Sequence, residues 1–240
     1  MPEITTLLWT GGWDSTFRLL QLLLVEKRSV QPIYVIDSTR SSTLRELESM
    51  DLISKMVRQR LSPGVTLYPK NIFLRSDFLD NHELKERFDF LKRQTRIGSQ
   101  YYWLALIAEN QKWDSVELSL ERFQCPSVLQ KLIFKDIEGE RPTLNNSWEA
   151  ELFKYWSFPL ITTTKTQMKQ IAKDHDFYDI LLKRWFCFNP VKGKCCGTCK
   201  PCELAMEEGA TEGVEFIHPT EMVVRKLGAR TRNKLNRMFS

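Results

Sequence analysis

Three histidines in 240 residues, His82, His175 and His218, stand at spacings that suit no shared metal ion, and each reads as a surface or packed side chain. Long apolar runs are missing too. The longest, Leu19–Val25, is interrupted by Gln21, and a membrane-crossing helix needs about 18 or more such residues. The opening MPEITTLLW lacks a basic segment and carries Glu3, so a secretory leader is not expected. The expected location is the cytoplasm, with no membrane partner. The Walker pattern G-x-x-x-x-G-K-S/T occurs nowhere, which argues against ordinary P-loop γ-phosphate hydrolysis. Internal repeats and low-complexity tracts are absent as well.

What remains is an ordinary globular composition, 42% hydrophobic and 27% charged, in a chain long enough for one good-sized core with at most an appendage. The net charge of +5 is mild but unevenly spread. Beyond Glu221 come Arg225, Lys226, Arg230, Arg232, Lys234 and Arg237 with no acid. Such a run either binds a polyanion or forms a solvated basic helix.

The opening pattern is strand, tight turn, helix. Ile4–Trp9 is apolar, Thr10-Gly11-Gly12 is a turn, and Ser15–Val25 follows helical periodicity. A second strand is predicted over Pro32–Ile36, a helix over Thr43–Arg60 and a third strand over Val65–Leu74, bent by Pro69. A mostly helical region, Asn81–Trp113, and a charged–apolar alternation, Ser115–Leu120, come next. This β-α-β-α-β order predicts an α/β fold, a Rossmann-like doubly wound parallel sheet with helices on both faces. Ligands of such sheets bind beyond the C-terminal strand ends, which sets Thr10–Thr16 beside Asp37–Ser42. Past Phe158 the pattern changes. A helix over Lys165–Lys173, with its N-cap from Thr162–Thr164, precedes a cysteine cluster and the basic tail. The expected layout is a nucleotide-binding domain over 1–160, a helix and metal lobe over 161–209, and a tail over 210–240.

The turn after the first strand, Trp9-Thr10-Gly11-Gly12-Trp13-Asp14-Ser15-Thr16, is built for an anion. Glycines let the backbone approach without a Cβ in the way. The hydroxyls of Thr10, Ser15 and Thr16 add donors, and the helix that follows aims its positive end at the same spot. Asp14 repels bare phosphate, so it is expected to cap the helix or help hold Mg²⁺.

Six cysteines are present, four of them in the pattern Cys187-x8-Cys196-x2-Cys199-x2-Cys202. In a cytoplasmic chain that density favours a metal over disulfides. Four soft sulfurs select Zn²⁺ or an iron–sulfur centre, and Cys195 offers an alternative ligand. With four protein ligands no coordination position stays open, so the role is structural. Cys125 lies apart and reads as a small packed side chain.

The G-G-x-D-S turn resembles the PP-loop of the ATP-pyrophosphatase superfamily, whose first Ser is Thr10 here. Together with the late cysteine pattern, the arrangement is similar to that of the 7-cyano-7-deazaguanine synthase family. Between the two ends, Arg96 through Glu109 resembles that family's arginine-led helix ending in Ala-Glu. Pro159-Leu160 with Thr164-Lys165 is similar to its P-L…T-K element, and Arg184-Trp185-Phe186-Cys187-Phe188 to its T-W-S-C-Y entry into the zinc site. The likeness spans about residues 4–209. Two tracts depart from it. The family's D-Y-G-Q-R-H is Asp37-Ser-Thr-Arg40-Ser-Ser42 here, and its Y-P-D-C-R is replaced by Glu121-Arg122-Phe123-Gln124-Cys125-Pro126.

The resemblance implies an ATP-dependent carbon–nitrogen ligase that adenylates the carboxylate of 7-carboxy-7-deazaguanine, releases pyrophosphate and aminates the product with ammonia toward the nitrile. Its implied cofactors are ATP, Mg²⁺ and structural Zn²⁺, and its implied assembly is a homodimer. Thr10, Gly11, Gly12, Asp14, Ser15, Thr16 and Asp37 become candidate ATP ligands. Lys165 is a candidate phosphate ligand or a surface lysine. Arg96 is a candidate anion fork or a surface pair, and Trp185 a stacking platform for a planar base or a core residue. Three other readings stand beside the ligase: transfer of the activated acyl group to an amine on a protein or nucleic-acid partner, a tRNA thiolation chemistry using Cys125, and a non-catalytic nucleotide-binding module.

Overall fold

The computed structural model describes residues 4–120, 128–136 and 142–227. Cys125, the tract Glu121–Pro126 and the basic residues Arg230, Arg232, Lys234 and Arg237 lie outside the described residues.

The chain opens with strand β1 (Ile4–Leu8), helix α1 (Trp13–Leu20), strand β2 (Ser29–Ile36), helix α2 (Thr43–Arg58) and strand β3 (Asn71–Leu74). Helices α3 (His82–Gln94) and α4 (Gln100–Asn110) follow, then the short strand β4 (Val116–Glu117). Next come α5 (Val128–Ile133) and an antiparallel pair, β5 (Phe134–Asp136) with β6 (Thr143–Leu144), before β7 (Trp156–Ser157). Helices α6 (Lys165–Asp174), α7 (Tyr178–Leu181) and α8 (Lys200–Glu207) come last, and residues 219–227 are helical as well.

Five strands form one parallel sheet in the order β3-β2-β1-β4-β7. Neighbouring residues of its strands enter different cores. Leu7, Val30 and Tyr34 pack with α1, α2, α6 and α7, through Phe17, Met50, Ile53, Met168 and Ile180. Leu8, Ile33 and Val35 pack with α3 and α4, through Phe88, Leu91, Leu104 and Ile107. A strand apolar on both faces has to be covered on both, and the result is the doubly wound α/β sheet that the alternation predicts. Because β1 has β2 on one side and β4 on the other, the strand order reverses there, at the place such sheets use for ligands.

Three local expectations need correction. The helix predicted over Ser15–Val25 is α1 followed by a widened π-type turn, Gln21–Val25; the wider turn leaves Leu19, Leu20, Leu22 and Leu23 all fully buried. The third strand is confined to Asn71–Leu74, with one earlier bridge at Leu67, since Pro69 offers no amide to a ladder. The helical region 81–113 breaks between Gln94 and Gln100, where Thr95 is extended. Arg96 therefore sits in a connector and does not lead a helix. Among the described residues no helix is long and apolar enough to cross a membrane.

Candidate functional site

The sequence puts two glycines where β1 must reverse into α1. Gly11 has φ of +74°, and a Cβ there would meet Met50 Cγ at 3.2 Å, so a side chain would strain the backbone and press on Met50. Gly12 occupies the N-cap of α1, with φ of −75° and ψ of 177°. This corrects the expectation that Asp14 caps the helix. Asp14 lies within the first turn, where a carboxylate complements the helix dipole. The loop is closed by its own hydroxyls. The Ser15 Oγ accepts from the Thr10 amide at 3.2 Å and lies 3.0 Å from the Thr10 hydroxyl. Thr16 is fully buried beneath the loop, its hydroxyl accepting from the Trp9 indole at 3.1 Å.

The turn opens into a cavity of about 550 Å³. Thr10, Gly12, Asp14 and Ser15 form one wall, Tyr101 and Leu104 of α4 another, and Ser119 and Leu120 beyond β4 lie on it too. Lys165 and Trp185 also line it, so most of the predicted ligands converge although they are far apart in the chain. Four predicted residues do not. Gly11 and Thr16 shape the turn from behind, and Arg96 is exposed in the α3–α4 connector. Asp37 is buried at the end of β2, where it accepts from the Thr39 amide at 3.1 Å and hydroxyl at 2.7 Å and faces Arg75 at 3.4 Å and Arg40 at 3.7 Å. Burial raises its carboxyl, yet the Thr39 donors and the two arginines hold it below the ordinary range.

Further charged residues complete the wall. Arg184, 2% exposed, donates to the carbonyls of Ala210 and Glu212 at 2.6 Å each and stacks on Trp13 at 4.8 Å. Burial pulls its guanidinium below the usual value. Glu46 is buried and accepts from the Tyr34 hydroxyl at 2.7 Å and the Ser42 hydroxyl at 2.6 Å. Arg40 lies over the ring of Phe188 at 4.6 Å. Lys165 begins α6 behind a Thr164–Gln167 capping box, and its ammonium pairs with Glu208 at 2.8 Å.

Across the cavity, the sulfurs of Cys187, Cys196, Cys199 and Cys202 all lie within 4.8 Å of one another and all are buried. Cys199 is 3.4 Å from Cys202 and 4.0 Å from Cys187, and Cys196 is 4.0 Å from Cys202. Backbone amides point at them, Cys196 to Cys187 at 3.2 Å and Thr198 to Cys196 at 3.4 Å, as thiolate ligands require. The Cys187 thiol is pulled far down by hydrogen bonds from Cys195, Cys199 and Cys202, whereas Cys195 is pushed up to about 12 by Cys187. Gly197 has φ of +67°, and a Cβ on it would strike Met222 Sδ at 2.4 Å.

The two halves of the site are joined directly. The Trp185 amide donates to the Gly11 carbonyl at 2.8 Å. Arg45 of α2 stacks on the Trp185 ring at 5.2 Å and donates to the Gly193 carbonyl at 2.6 Å. Trp185 itself is 9% exposed, its indole donating to the Cys187 carbonyl at 2.9 Å.

No protein-family model and no curated protein matches the chain. Among solved structures it is similar to the U34-tRNA thiolase NcsA from Methanococcus maripaludis with its 4Fe-4S cluster, at 14% identity and a TM-score of 0.42, over 92% of this chain and 69% of that one. A likeness at that level assigns no activity to this chain.

Proposed function

We propose that the chain is a PP-loop ATP-dependent carbon–nitrogen ligase that binds ATP with its phosphates at the Gly11–Gly12 turn and activates a carboxylate as its adenylate. The observation that carries this reading is the convergence at the sheet's switch point: a glycine-capped α1 and Lys165 at one cavity, with the left-handed Gly11 shaping the turn from behind. Backbone amides and the α1 dipole would meet the charge on the phosphates, while Asp14 would help hold Mg²⁺.

The chemistry is the one that the resemblance implies. A carboxylate oxygen attacks the α-phosphorus, the bond to pyrophosphate breaks, and an acyl adenylate results. Ammonia then attacks the acyl carbon and expels AMP, leaving an amide. A second round activates the amide oxygen, and loss of AMP with a proton gives the nitrile. Trp13, Tyr101, Trp103, Phe186 and Phe188 line the cavity and suit a planar ring, which supports 7-carboxy-7-deazaguanine as the carboxylate. Arg40 and Lys200 on the same wall suit its negative charge.

The cysteine lobe fits zinc. A tetrahedral ion with Zn–S bonds of about 2.3 Å separates its sulfurs by roughly 3.8 Å, close to the 3.4–4.0 Å of three of the pairs, with all four sulfurs within 4.8 Å of one another. A multi-iron cluster placed among the sulfurs needs wider spacing. With four thiolates closed around it, the ion would order the lobe and take no part in a chemical step.

Pyrophosphate release from Mg·ATP, measured with and without 7-carboxy-7-deazaguanine and followed by mass spectrometry of the product, tests the reading. Stimulated release with amide or nitrile formed supports it, and no stimulation with a folded, metal-loaded chain removes it. A second reading, transfer to an amine on a protein or nucleic acid, is motivated by the acid-free basic run beyond Glu221. A covalent adduct on such a partner, in place of a free amide, would distinguish it.

A further inference from the structure

We infer that Glu208 is a built-in competitor for the Lys165 ammonium, a counter-ion supplied by the cysteine lobe that incoming phosphate must displace. The inference rests on the nucleotide reading above.

Both residues line the cavity that the Gly12 turn opens into, and their charged ends lie 2.8 Å apart. Neither backbone is free to swing away. Lys165 is the first residue of α6, fixed by the Thr164–Gln167 capping box and by Met168 buried one turn on. Glu208 follows α8, a helix capped by Cys199 with Cys202 in its first turn. Its amide is bonded to the Leu204 carbonyl at 2.9 Å, and Arg184 grips the carbonyls of Ala210 and Glu212 beyond it. The four-sulfur cluster at one end of α8 and the arginine at the other thus hold the carboxylate in front of the lysine.

The pair is nevertheless built to open. Its side chains are 28% and 39% exposed, so water screens it and it is weak. A polyphosphate carries more charge than one carboxylate and takes the ammonium from it. When Lys165 turns away, α6 stays docked, because its Met168 and Ala172 are fully buried in the core. Affinity for nucleotide is therefore set against a fixed internal anion, and the metal lobe contributes to the nucleotide site through that anion.

Titration calorimetry of Mg·ATP and of inorganic pyrophosphate into the metal-loaded full chain tests this, using wild type, Glu208→Gln, Glu208→Asp, Lys165→Met and the Lys165→Met/Glu208→Gln double variant. Glu208→Gln is expected to lower Kd about 2- to 5-fold, the size of a half-exposed ion pair. Glu208→Asp, which keeps the charge, stays near wild type. In the Lys165→Met background the Glu208 substitution is expected to have no effect on Kd. An unchanged or weaker affinity for Glu208→Gln, with wild type binding normally, overturns the inference and leaves the nucleotide reading intact. A shift in Tm without a shift in Kd assigns Glu208 a purely structural role and overturns it equally. Absence of binding in wild type overturns both.

Discussion

The turn after β1 and the cysteine lobe face one another across a single cavity and owe their order to opposite sources. Behind the turn stand Trp9, Phe17 and Met50, all fully buried, with a parallel strand on each side of β1. Between Arg184 and Cys199 the lobe has only isolated bridges for secondary structure, and the core there consists largely of sulfur and a few aromatic rings. Apolar burial can hold the first region without any ligand. The second has little apolar surface, and a metal held by its four cysteines would supply the order that burial does not. One cavity therefore has one wall that is intrinsic to the fold and one that would be conditional on metal.

The largest effect is expected where the conditional wall is broken. Cys202→Ser, or removal of the metal by a chelator, should abolish order in residues 185–217, since closed thiolate sites contribute on the order of 10 kcal/mol to the folding of such lobes. Limited proteolysis should then cut within the lobe while far-ultraviolet circular dichroism of the sheet domain persists. Cutting in the sheet domain at equal rate would show that the two walls are not separable.

The intrinsic wall has its own weak point. Arg18 of α1 and Glu117 of β4 are buried together, paired at 2.7 Å, with Glu26 at 2.5 Å completing the set. Glu117→Ala leaves the Arg18 guanidinium short of its main partner and should cost about 3–5 kcal/mol in denaturant unfolding, with metal content unchanged. A smaller effect, about 1–2 kcal/mol from a side chain forced into left-handed backbone, is expected for Gly11→Ala. Its Mg·ATP affinity should fall at least tenfold, because the new methyl also meets Met50. Normal affinity in that variant would remove the phosphates from the turn.

The smallest effect is a pH dependence at the rim. The Asp37 carboxyl is held below its ordinary value in the folded chain, so its stabilisation is complete above the unfolded value of about 3.9 and disappears as pH falls through the folded one. Asp37→Asn should lower Tm at neutral pH and should converge with wild type in acid. A gap that widens in acid would contradict the assigned sign.

How far the sequence revealed this arrangement differs between the same two regions. The glycine turn, the strand before it and the cysteine spacing were legible because each is a local pattern tied to one backbone or ligand requirement. Lys165 was legible only as a candidate, since nothing in a sequence says that α6 points its first residue across the sheet edge. Arg184 and Glu208 were illegible for the same reason. Their roles come from loops that meet only after the lobe docks, and an arginine bonded solely to carbonyls leaves no charge pattern behind. Arg96 was misplaced because the break at Thr95–Ser99 lies inside a stretch with helical apolar spacing, and the sheet's far core decided where α4 begins.

The hydrogen bond from the Trp185 amide to the Gly11 carbonyl carries a consequence for how the protein is made. A ribosome adding about 5–20 residues per second delivers the glycine turn on the order of ten seconds before the tryptophan that seats it. The β1–α1 unit can collapse on its neighbours during that interval, but its loop has no partner on the lobe side. On the proposed reading, nucleotide would be a late ligand, unable to guide early folding, because the turn that would receive it is seated only once the lobe has docked.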